Sequence, residues 1–316
     1  AIGEYAQTAG NALGYFNAAL AASEGKWGKA AGSAIGTYFG GPIGAAIGGA
    51  IGGWVDEAFG GGHEYTTGTG ISGRFAGSNF AGRNYQDWRN DGSSGFLGIG
   101  GSGSSSGTNY SAMDTALQKS LGAAYGNLLT QTAGFATALG ANAASITGYQ
   151  KDIKLSLGSD AEANKKAIAA MFKGIADEVA AVVLDSRFMR EGEGAADTLA
   201  RLATNLTTVN GALDTLGDNL LSVSQYSGDA ASSLVDAFGG LQAYQSAIST
   251  YYQRFYTQEE RLAKTREQLA KQMDALGLGL PDTIAAYRTL VNAQDLSTEA
   301  GRKTYTTLIS MSGAFA

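Results

Sequence analysis

The chain contains 316 residues, of which 47 are glycine and only 16% are charged, and its net charge is −6. The charged fraction is well below the roughly 25% of ordinary globular domains, and the acidic balance excludes the basic surface of a usual nucleic-acid-binding protein. Cysteine is absent and His63 is the only histidine, so disulfides, thiolate metal sites and most histidine-based catalysis are excluded. We therefore expect no sequence-specific nucleic-acid binding, no metal, no cofactor and no catalytic residue.

The first 29 residues predict a short amphipathic helix. Tyr5, Leu13, Phe16 and Leu20 recur at the spacing of one helical face. The chain begins at Ala1 and shows no succession of basic, apolar and small residues typical of a signal peptide. We therefore expect it to be part of a longer protein.

Residues 30–58 predict a hydrophobic helix with a regular repeat of glycine, which we call the glycine zipper and which is the most distinctive segment of the sequence. No charged residue occurs between Ala30 and Val55, and this run is longer than the ~20 residues that span a bilayer core. Trp27 and Trp54 flank it, as aromatic residues do at membrane interfaces. Membrane insertion and close packing inside a protein assembly both fit this segment. Glycine recurs at every fourth position, which lets another helix backbone approach one face, at Gly32, Gly36, Gly40, Gly44, Gly48 and Gly52.

Residues 59–108 predict a Gly/Ser-rich β-hairpin and linker region. The alternation of Tyr65, Thr67, Thr69 and Ile71 favours β-hairpins, and the run from Asn90 to Gly92 is typical of a turn. The composition from residue 98 to residue 107 predicts a flexible linker.

Residues 109–190 predict helices with one short strand. The stretch 110–149 has helical spacing, and its uncharged part, 120–150, fits a packed amphipathic helix or a second membrane-active segment. The alternation of Ile153, Leu155 and Leu157 with polar residues predicts a half-buried strand. Ser159 or Asp160 is then expected to cap the next helix.

Residues 191–316 predict helices throughout. In the helix expected after Gly240, a single apolar stripe repeats every seven residues, although the complementary positions are mostly polar, so a two-position coiled-coil seam is not established. We expect Pro281 in the first turn of a new helix, and Ser297 with Glu299 to open the last one. The stripe consists of Phe255, Leu262, Leu269 and Leu276.

An ordered series of short stretches resembles the C-terminal portion of tail tape measure proteins from long-tailed, siphovirus-type phages and prophages of Gram-negative bacteria. The resemblance covers most of the chain from about residue 60 and is most specific near its end. Its most specific stretches are Leu280-Pro281, Tyr287 through Val291, Ala293 through Arg302, and Tyr305. Further stretches are Asn84-Tyr85, Trp88 through Gly92, Gly192 through Gly194, Leu202 through Leu206, Gly239 through Leu241, Tyr251-Tyr252 and Phe255 through Thr257.

The residue patterns and this resemblance together predict a mainly α, extended and non-globular protein with a small Gly-rich β-hairpin region and one short strand, forming a trimeric helical bundle in part. It further implies a virion protein of the tail lumen and tip that takes part in tail assembly and length determination. Its partners would be sister copies, as a homotrimer, together with distal tail, hub and tail-tip proteins. On infection it would leave the tail and help to form a channel for DNA through the host envelope, meeting the inner membrane. Residues 191–316 would bind the tip, with Tyr287 and Tyr305 joining the four stripe residues at interfaces.

Two other classes of protein stay open. A secreted pore-forming or membrane-inserting effector would use the glycine-zipper helix equally well, and leakage of liposomes caused by the purified chain alone would favour it. Peptidoglycan cleavage would need two carboxylates at a fixed separation, and the sequence fixes no such pair. The carboxylates nearest to predicted loops are Glu64, Asp87, Asp91, Glu191 and Glu193.

Replacing Gly44 and Gly48 together by leucine tests the glycine zipper. The added side chains would keep neighbouring helix backbones apart, so we expect reduced DNA delivery while the C-terminal half still binds the tail tip. Delivery is measured as infection by phage that carry the double substitution, and normal infection would remove the zipper from the mechanism.

Overall fold

The computed structural model describes residues 64–92 and 103–315. These residues form four β-strands and nine α-helices, so the prediction of a mainly α fold is confirmed. The amphipathic helix predicted over 1–29, the glycine zipper within 30–58 and the first part of the predicted linker lie outside the described residues. Two compact units divide the described chain: residues 64–92, 103–209 and 221–234 form the first, and residues 210–220 and 235–315 form the second.

A four-stranded antiparallel sheet begins the first unit. Its strands are β1 (Glu64–Ala76), β2 (Asn79–Asn90), β3 (Ser105–Ala112) and β4 (Gln150–Ser156), in the order β3-β2-β1-β4. Strands β1 and β2 pair in register up to Ala76 opposite Asn79, and the two-residue turn between them begins at Gly77, whose φ is 55°. A two-residue turn with glycine at positive φ is typical of a β-hairpin, so the predicted hairpin is confirmed.

Strand β3 corrects two predictions. The sequence predicts residues 105–107 as flexible linker and residues 110–112 as helix, but both stretches belong to β3, which pairs with β2. The sequence of β3 does not alternate between apolar and polar residues. Its strand conformation therefore follows from its pairing with β2 and not from its own pattern. Gly107 lies against the Trp88 indole, and a Cβ atom at Gly107 would come within 2.8 Å of that ring.

The sheet carries helices on the face that presents Ile71, Phe75 and Phe80. Helices α1 (Thr115–Ala138), α2 (Ala144–Thr147) and α3 (Ala161–Ala181) share one apolar core with this face. The Phe75 ring is fully buried, and its centroid lies 4.4 Å from that of Phe80 and 4.8 Å from that of Tyr125. The uncharged stretch 120–150 is therefore a packed amphipathic helix followed by a short turn of helix.

Helix starts in this unit follow the expected capping chemistry. The carboxylate of Asp114 accepts a hydrogen bond from the Leu117 amide at 2.9 Å and caps α1. Of the two residues predicted to cap α3, Asp160 does so, because its carboxylate accepts from the Ala163 amide at 3.1 Å. Among the described helices, none combines the length and apolar character needed to cross a bilayer.

Two further helices complete the first unit and extend into the second. They are α4 (Ala195–Leu216) and α5 (Gln225–Ala237), of which residues 195–209 and 225–234 belong to the first unit. The apolar residues of α4 recur every three or four positions, and they are buried there at Leu199, Leu202, Leu206 and Val209.

The second unit contains the four C-terminal helices. These are α6 (Leu241–Phe255), α7 (Gln258–Ala275), α8 (Ile284–Asn292) and α9 (Glu299–Phe315). Helices α7, α8 and α9 share a core, so the prediction of helices throughout this region is confirmed. Its buried members are Leu269, Met273, Tyr287, Val291, Leu308 and Met311.

Three details of these helices differ from the sequence prediction. The stripe starting at Phe255 lies on two helices rather than one, because α6 ends at Phe255 and Thr257 caps α7. Thr283 caps α8, so Pro281 precedes the helix instead of lying in its first turn. Thr298 rather than Ser297 caps α9, since its hydroxyl accepts from the Gly301 amide at 3.0 Å. In each case a threonine hydroxyl satisfies an amide that the helix leaves free.

Gly122 provides a test of the contact between α1 and the hairpin. A Cβ atom at Gly122 would lie 2.5 Å from the Ser78 carbonyl oxygen and 2.9 Å from the Phe80 amide nitrogen. Gly122→Ala is therefore expected to lower the free energy of unfolding by about 1–3 kcal/mol through overpacking, measured by urea denaturation.

Gly174 in α3 is the matched control. Nothing lies within 4 Å of its would-be Cβ atom, so Gly174→Ala should raise the free energy of unfolding by roughly 0.5–1 kcal/mol through helix propensity alone. Equal stabilisation by both substitutions would show that α1 does not approach the hairpin this closely.

Candidate functional site

Large apolar side chains are exposed on both sides of the junction between α6 and α7. Phe255 is 72% exposed, Leu262 is 61% exposed and Tyr251 is 47% exposed. The rings of Tyr251 and Phe255 stack with their centroids 4.8 Å apart. We call these three the junction residues. Exposed aromatic side chains such as the stacked rings of Tyr251 and Phe255 are enriched among the residues that dominate binding to other proteins.

Hydrogen bonds hold the junction in place. The Thr257 hydroxyl accepts from the Glu260 amide at 3.2 Å, and the Glu260 carboxylate accepts from the Thr257 amide at 2.7 Å, which together form a capping box. The Arg261 guanidinium donates to the Gln253 carbonyl oxygen at 2.7 Å, and thereby satisfies a free acceptor at the end of α6. The Tyr256 hydroxyl donates to the Leu216 carbonyl oxygen at 2.7 Å. The junction residues are therefore presented by a fixed turn.

The six residues predicted at interfaces fall into two groups. Phe255 and Leu262 are exposed, whereas the others lie within the core of α7, α8 and α9 or against it. Tyr287 is buried and its hydroxyl donates to the Leu308 carbonyl oxygen. The structure thus brings four of the six together in this core, while an interface role for the set stays a prediction. These four are Leu269, Leu276, Tyr287 and Tyr305. The six zipper glycines, predicted at a helix-packing or membrane site, lie outside the described residues.

Three of the candidate carboxylates are held by hydrogen bonds. Asp87 accepts from the Thr108 hydroxyl at 2.6 Å and from the Lys154 ammonium at 2.9 Å, and these bonds lower its pKa. Asp91 accepts from Arg89 at 2.7 Å and from the Tyr65 hydroxyl at 2.9 Å. A general acid in glycoside hydrolysis needs a raised pKa. The pKa of Asp87 is lowered, so this carboxyl group does not have the property that a general acid requires.

Glu193, the third of these carboxylates, is partly exposed and forms an ion pair with the buried Arg201. The Arg201 side chain is 8% exposed, and it donates to both Glu193 oxygens at 2.7 and 2.9 Å and to the Phe188 carbonyl oxygen at 2.8 Å. Burial opposes ionisation of Glu193, but hydrogen bonds from Arg201 and Thr198 outweigh it, so the pKa of Glu193 is lowered. The pair ties the segment before α4 to the helix. Of the remaining candidates, Glu191 is exposed and Glu64 begins β1.

Other charged side chains gather at the start of α4. The Asp177 carboxylate accepts from the Ala196 amide at 3.0 Å, and Lys173 lies 3.1 Å from Asp177 and 3.7 Å from Asp197. Burial raises the pKa of Asp197, although the Lys173 charge acts in the opposite direction. In the part of the chain that the structure describes, no group of three or more histidine, cysteine, aspartate or glutamate side chains is arranged to hold a metal ion.

A second surface lies on the sheet, on the face away from Phe75. Arg74 and Asp152 form an ion pair at 2.7 Å, and Lys154 lies 4.3 Å from the centroid of the Tyr85 ring. The Arg83 guanidinium lies 3.8 Å from the centroid of the Tyr110 ring. Sequence reasoning missed this surface, although the alternation of Arg83, Tyr85 and Asp87 at period two is a signal that could have found it.

No protein-family model, curated protein or solved structure matches this chain. The roles of individual residues therefore rest on contacts within the chain.

Replacing Glu193 by glutamine tests its ion pair with Arg201. A carboxylate whose pKa is lowered on folding stabilises the protein above its ordinary pKa of ~4.3, and this contribution is lost as the pH falls through the lowered value. We expect Glu193→Gln to lower the free energy of unfolding by about 3 kcal/mol at pH 7, because it leaves the buried Arg201 charge with the more distant Asp229 carboxylate, 4.0 Å away, in place of its bidentate partner. The loss should shrink below pH ~4, as measured by urea denaturation across pH.

Asp197→Asn is the control with the opposite sign. In the wild type the pKa of Asp197 is raised, which means that folding disfavours its charged form. The Asp197 carboxylate therefore destabilises the protein at neutral pH, where it is ionised, and not at low pH. The variant should therefore be slightly more stable than the wild type at pH 7. Equal losses from both substitutions would contradict this assignment of the two carboxylates.

Proposed function

We propose that this chain is part of a tail tape measure protein of a long-tailed phage or prophage. In this proposal it lies in the tail lumen and tip, takes part in tail assembly and length determination, and contacts hub and tail-tip proteins. On infection it is ejected and helps to form a channel for DNA through the host envelope. Three sister copies lie together in the tail, and they meet the host inner membrane after ejection.

The exposed junction residues are the observation that carries the proposal. They lie in the second unit, and Tyr251 and Phe255 fall within two of the further stretches that resemble tape measure proteins. Phe255 and Leu262 are more than half exposed although the same unit has a well-buried core of its own. A surface of this kind favours binding to another protein, which is the role proposed for this part of the chain at the tail tip.

The composition supports the same proposal. A chain stored with its sister copies in a narrow tube has to bury apolar faces against those copies and against the tube wall. Small residues allow helices to approach closely, and a low charge content reduces the unfavourable free energy of removing charged groups from water. With 47 glycines and 16% charged residues, the sequence has both properties.

Phe255→Asp combined with Leu262→Asp, introduced into the full-length protein of the parent phage or prophage, tests the tip contact. Both side chains are exposed, so the fold should be retained, with circular dichroism and melting temperature close to the wild type. A desolvated apolar anchor contributes about 1–2 kcal/mol or more to binding, so tip proteins should co-purify roughly tenfold less or worse. We expect malformed tails by electron microscopy and a corresponding loss of infectious particles.

Ile284→Asp is the matched control. Ile284 is 59% exposed, lies in the same unit and begins α8, where an aspartate is favourable because of the helix dipole. This variant should assemble normal tails. The proposal fails if deletion of the whole gene leaves tails of normal length and infectivity. If deletion of the gene abolishes infectivity but the double variant behaves like the wild type, the tip contact lies elsewhere in the chain.

A further inference from the structure

Strand β3 is an exposed edge of the sheet. Among the described residues it pairs only with β2, and six of its eight residues are exposed. Its sequence, SSGTNYSA, contains no charge and no proline. An edge strand presents a row of backbone donors and acceptors to any extended chain, and proteins usually block such an edge with charged residues, proline or bulges. Strand β3 has none of these blocking features in its own sequence.

The opposite edge, β4, is blocked. Lys151 on this strand forms an ion pair with Glu178 of α3, Asp152 pairs with Arg74, and Lys154 pairs with Asp87. Charged side chains, especially lysine and those that point toward a covering layer, are the usual means of preventing strand addition. Among the described residues the two edges of this sheet therefore differ, and β3 is the edge that is open to an added strand.

Arg83 gives the open edge a charge preference. It lies on β2 directly opposite Ala112 of β3, and its guanidinium stacks on the Tyr110 ring. Arg74 and Lys154, on the same sheet face, each have a carboxylate partner. Within the described residues Arg83 has no such partner. Because the side chain of Ala112 is a single methyl group, a carboxylate on a strand added beside β3 can reach the Arg83 guanidinium.

We propose that β3 is the docking edge for an extended acidic segment of a partner protein, which adds a fifth strand and pairs a carboxylate with Arg83. Main-chain hydrogen bonds to β3 supply the affinity, and the carboxylate beside Arg83 and Tyr110 supplies the preference, as in other strand-addition complexes. The inference goes beyond the tail assignment and does not rest on it, because every contact involved lies within the sheet.

A second copy of this chain is the less suitable occupant. Its β3 strand has no carboxylate to offer to Arg83. Its β4 strand has one, Asp152, but that group is bonded to both Arg74 nitrogens at 2.7 Å. Self-association through either edge would therefore leave Arg83 without a counter-charge, whereas an acidic segment from another protein supplies one.

Two synthetic probes test the proposal with the intact chain. Both are ten-residue peptides of alternating threonine and valine, one with a central glutamate and one with a central lysine, and binding is measured by fluorescence anisotropy at low salt. Opposite charges on neighbouring strands stabilise a sheet, and like charges destabilise it. We therefore expect the glutamate probe to bind roughly fivefold more tightly than the lysine probe, and the difference to disappear in about 1 M salt.

Variants of Arg83 assign this preference to one side chain. Arg83→Gln should abolish it, Arg83→Glu should reverse it, and Arg83→Lys should retain it. Arg74→Gln is the matched control, because Arg74 lies on the same sheet face with its charge already paired, and it should leave the preference unchanged. Two further versions of the glutamate probe carry N-methyl groups on alternate backbone amides, one on the odd and one on the even positions. Only one of these two sets of amides faces β3, so one version should lose binding and the other should keep it.

Three results would overturn the proposal. One is that neither probe binds, and another is a glutamate preference that survives Arg83→Gln. The third is a dimer of the wild-type chain, detected by sedimentation equilibrium and dissociated by Asn109→Lys on β3, since the edge would then belong to a second copy.

Discussion

The first unit depends on the close contact between α1 and the β1–β2 hairpin. Gly122 brings the helix backbone against the Ser78 carbonyl at the hairpin turn, and this approach places Tyr125 over Phe75. Phe75 also faces Phe80 across the hairpin and Phe172 of α3, so one ring joins two strands and two helices. Each aromatic pair contributes about 0.5–1.5 kcal/mol beyond the area it buries.

The buried hydroxyl group of Tyr125 in this core has a hydrogen-bond partner. The Tyr125 hydroxyl donates to the Tyr149 carbonyl at 2.7 Å, at the point where the chain enters β4. Burial raises the pKa of Tyr125 to about 12, so the phenol remains a neutral donor at physiological pH. The position of β4 at the sheet edge follows from this bond and from the pairing of β4 with β1.

The sequence predicts those elements whose burial has a clear period. The strand around Ile153 and the helix with Leu199, Leu202 and Leu206 each show a spacing that burial then follows. The hairpin forms where its β-type sequence predicts it, but Tyr65 and Thr67 of the predicted alternation are exposed. Strand β3 has no such spacing, because it is exposed on most of its length and is determined by pairing with β2. The break after Phe255 was missed for a different reason. A heptad spacing extends through it, and only the capping box at Thr257 and Glu260 shows that one helix ends and another begins.

The candidate surfaces were predictable to different degrees. Phe255 and Leu262 were found because an apolar residue on a polar helix is visible in sequence, but the same stripe included Leu269, which is core. Spacing alone does not tell which side of a helix faces the protein. The charged face of the sheet was missed because its members come from different strands, and Arg74 and Asp152 are 78 residues apart in sequence.

A low charge content makes the few charged groups informative. On the sheet face, Arg74 and Lys154 have partners, and in the first unit Arg201 is enclosed with Glu193. These pairs hold elements together inside the chain. Arg83 differs from them, because among the described residues it has no carboxylate partner. Its guanidinium lies over the Tyr110 ring and next to the open edge of β3, where it suits a contact with another molecule. The apolar junction residues and the polar β3 edge therefore differ in chemistry, so the two contacts proposed for them call for two different partners rather than one.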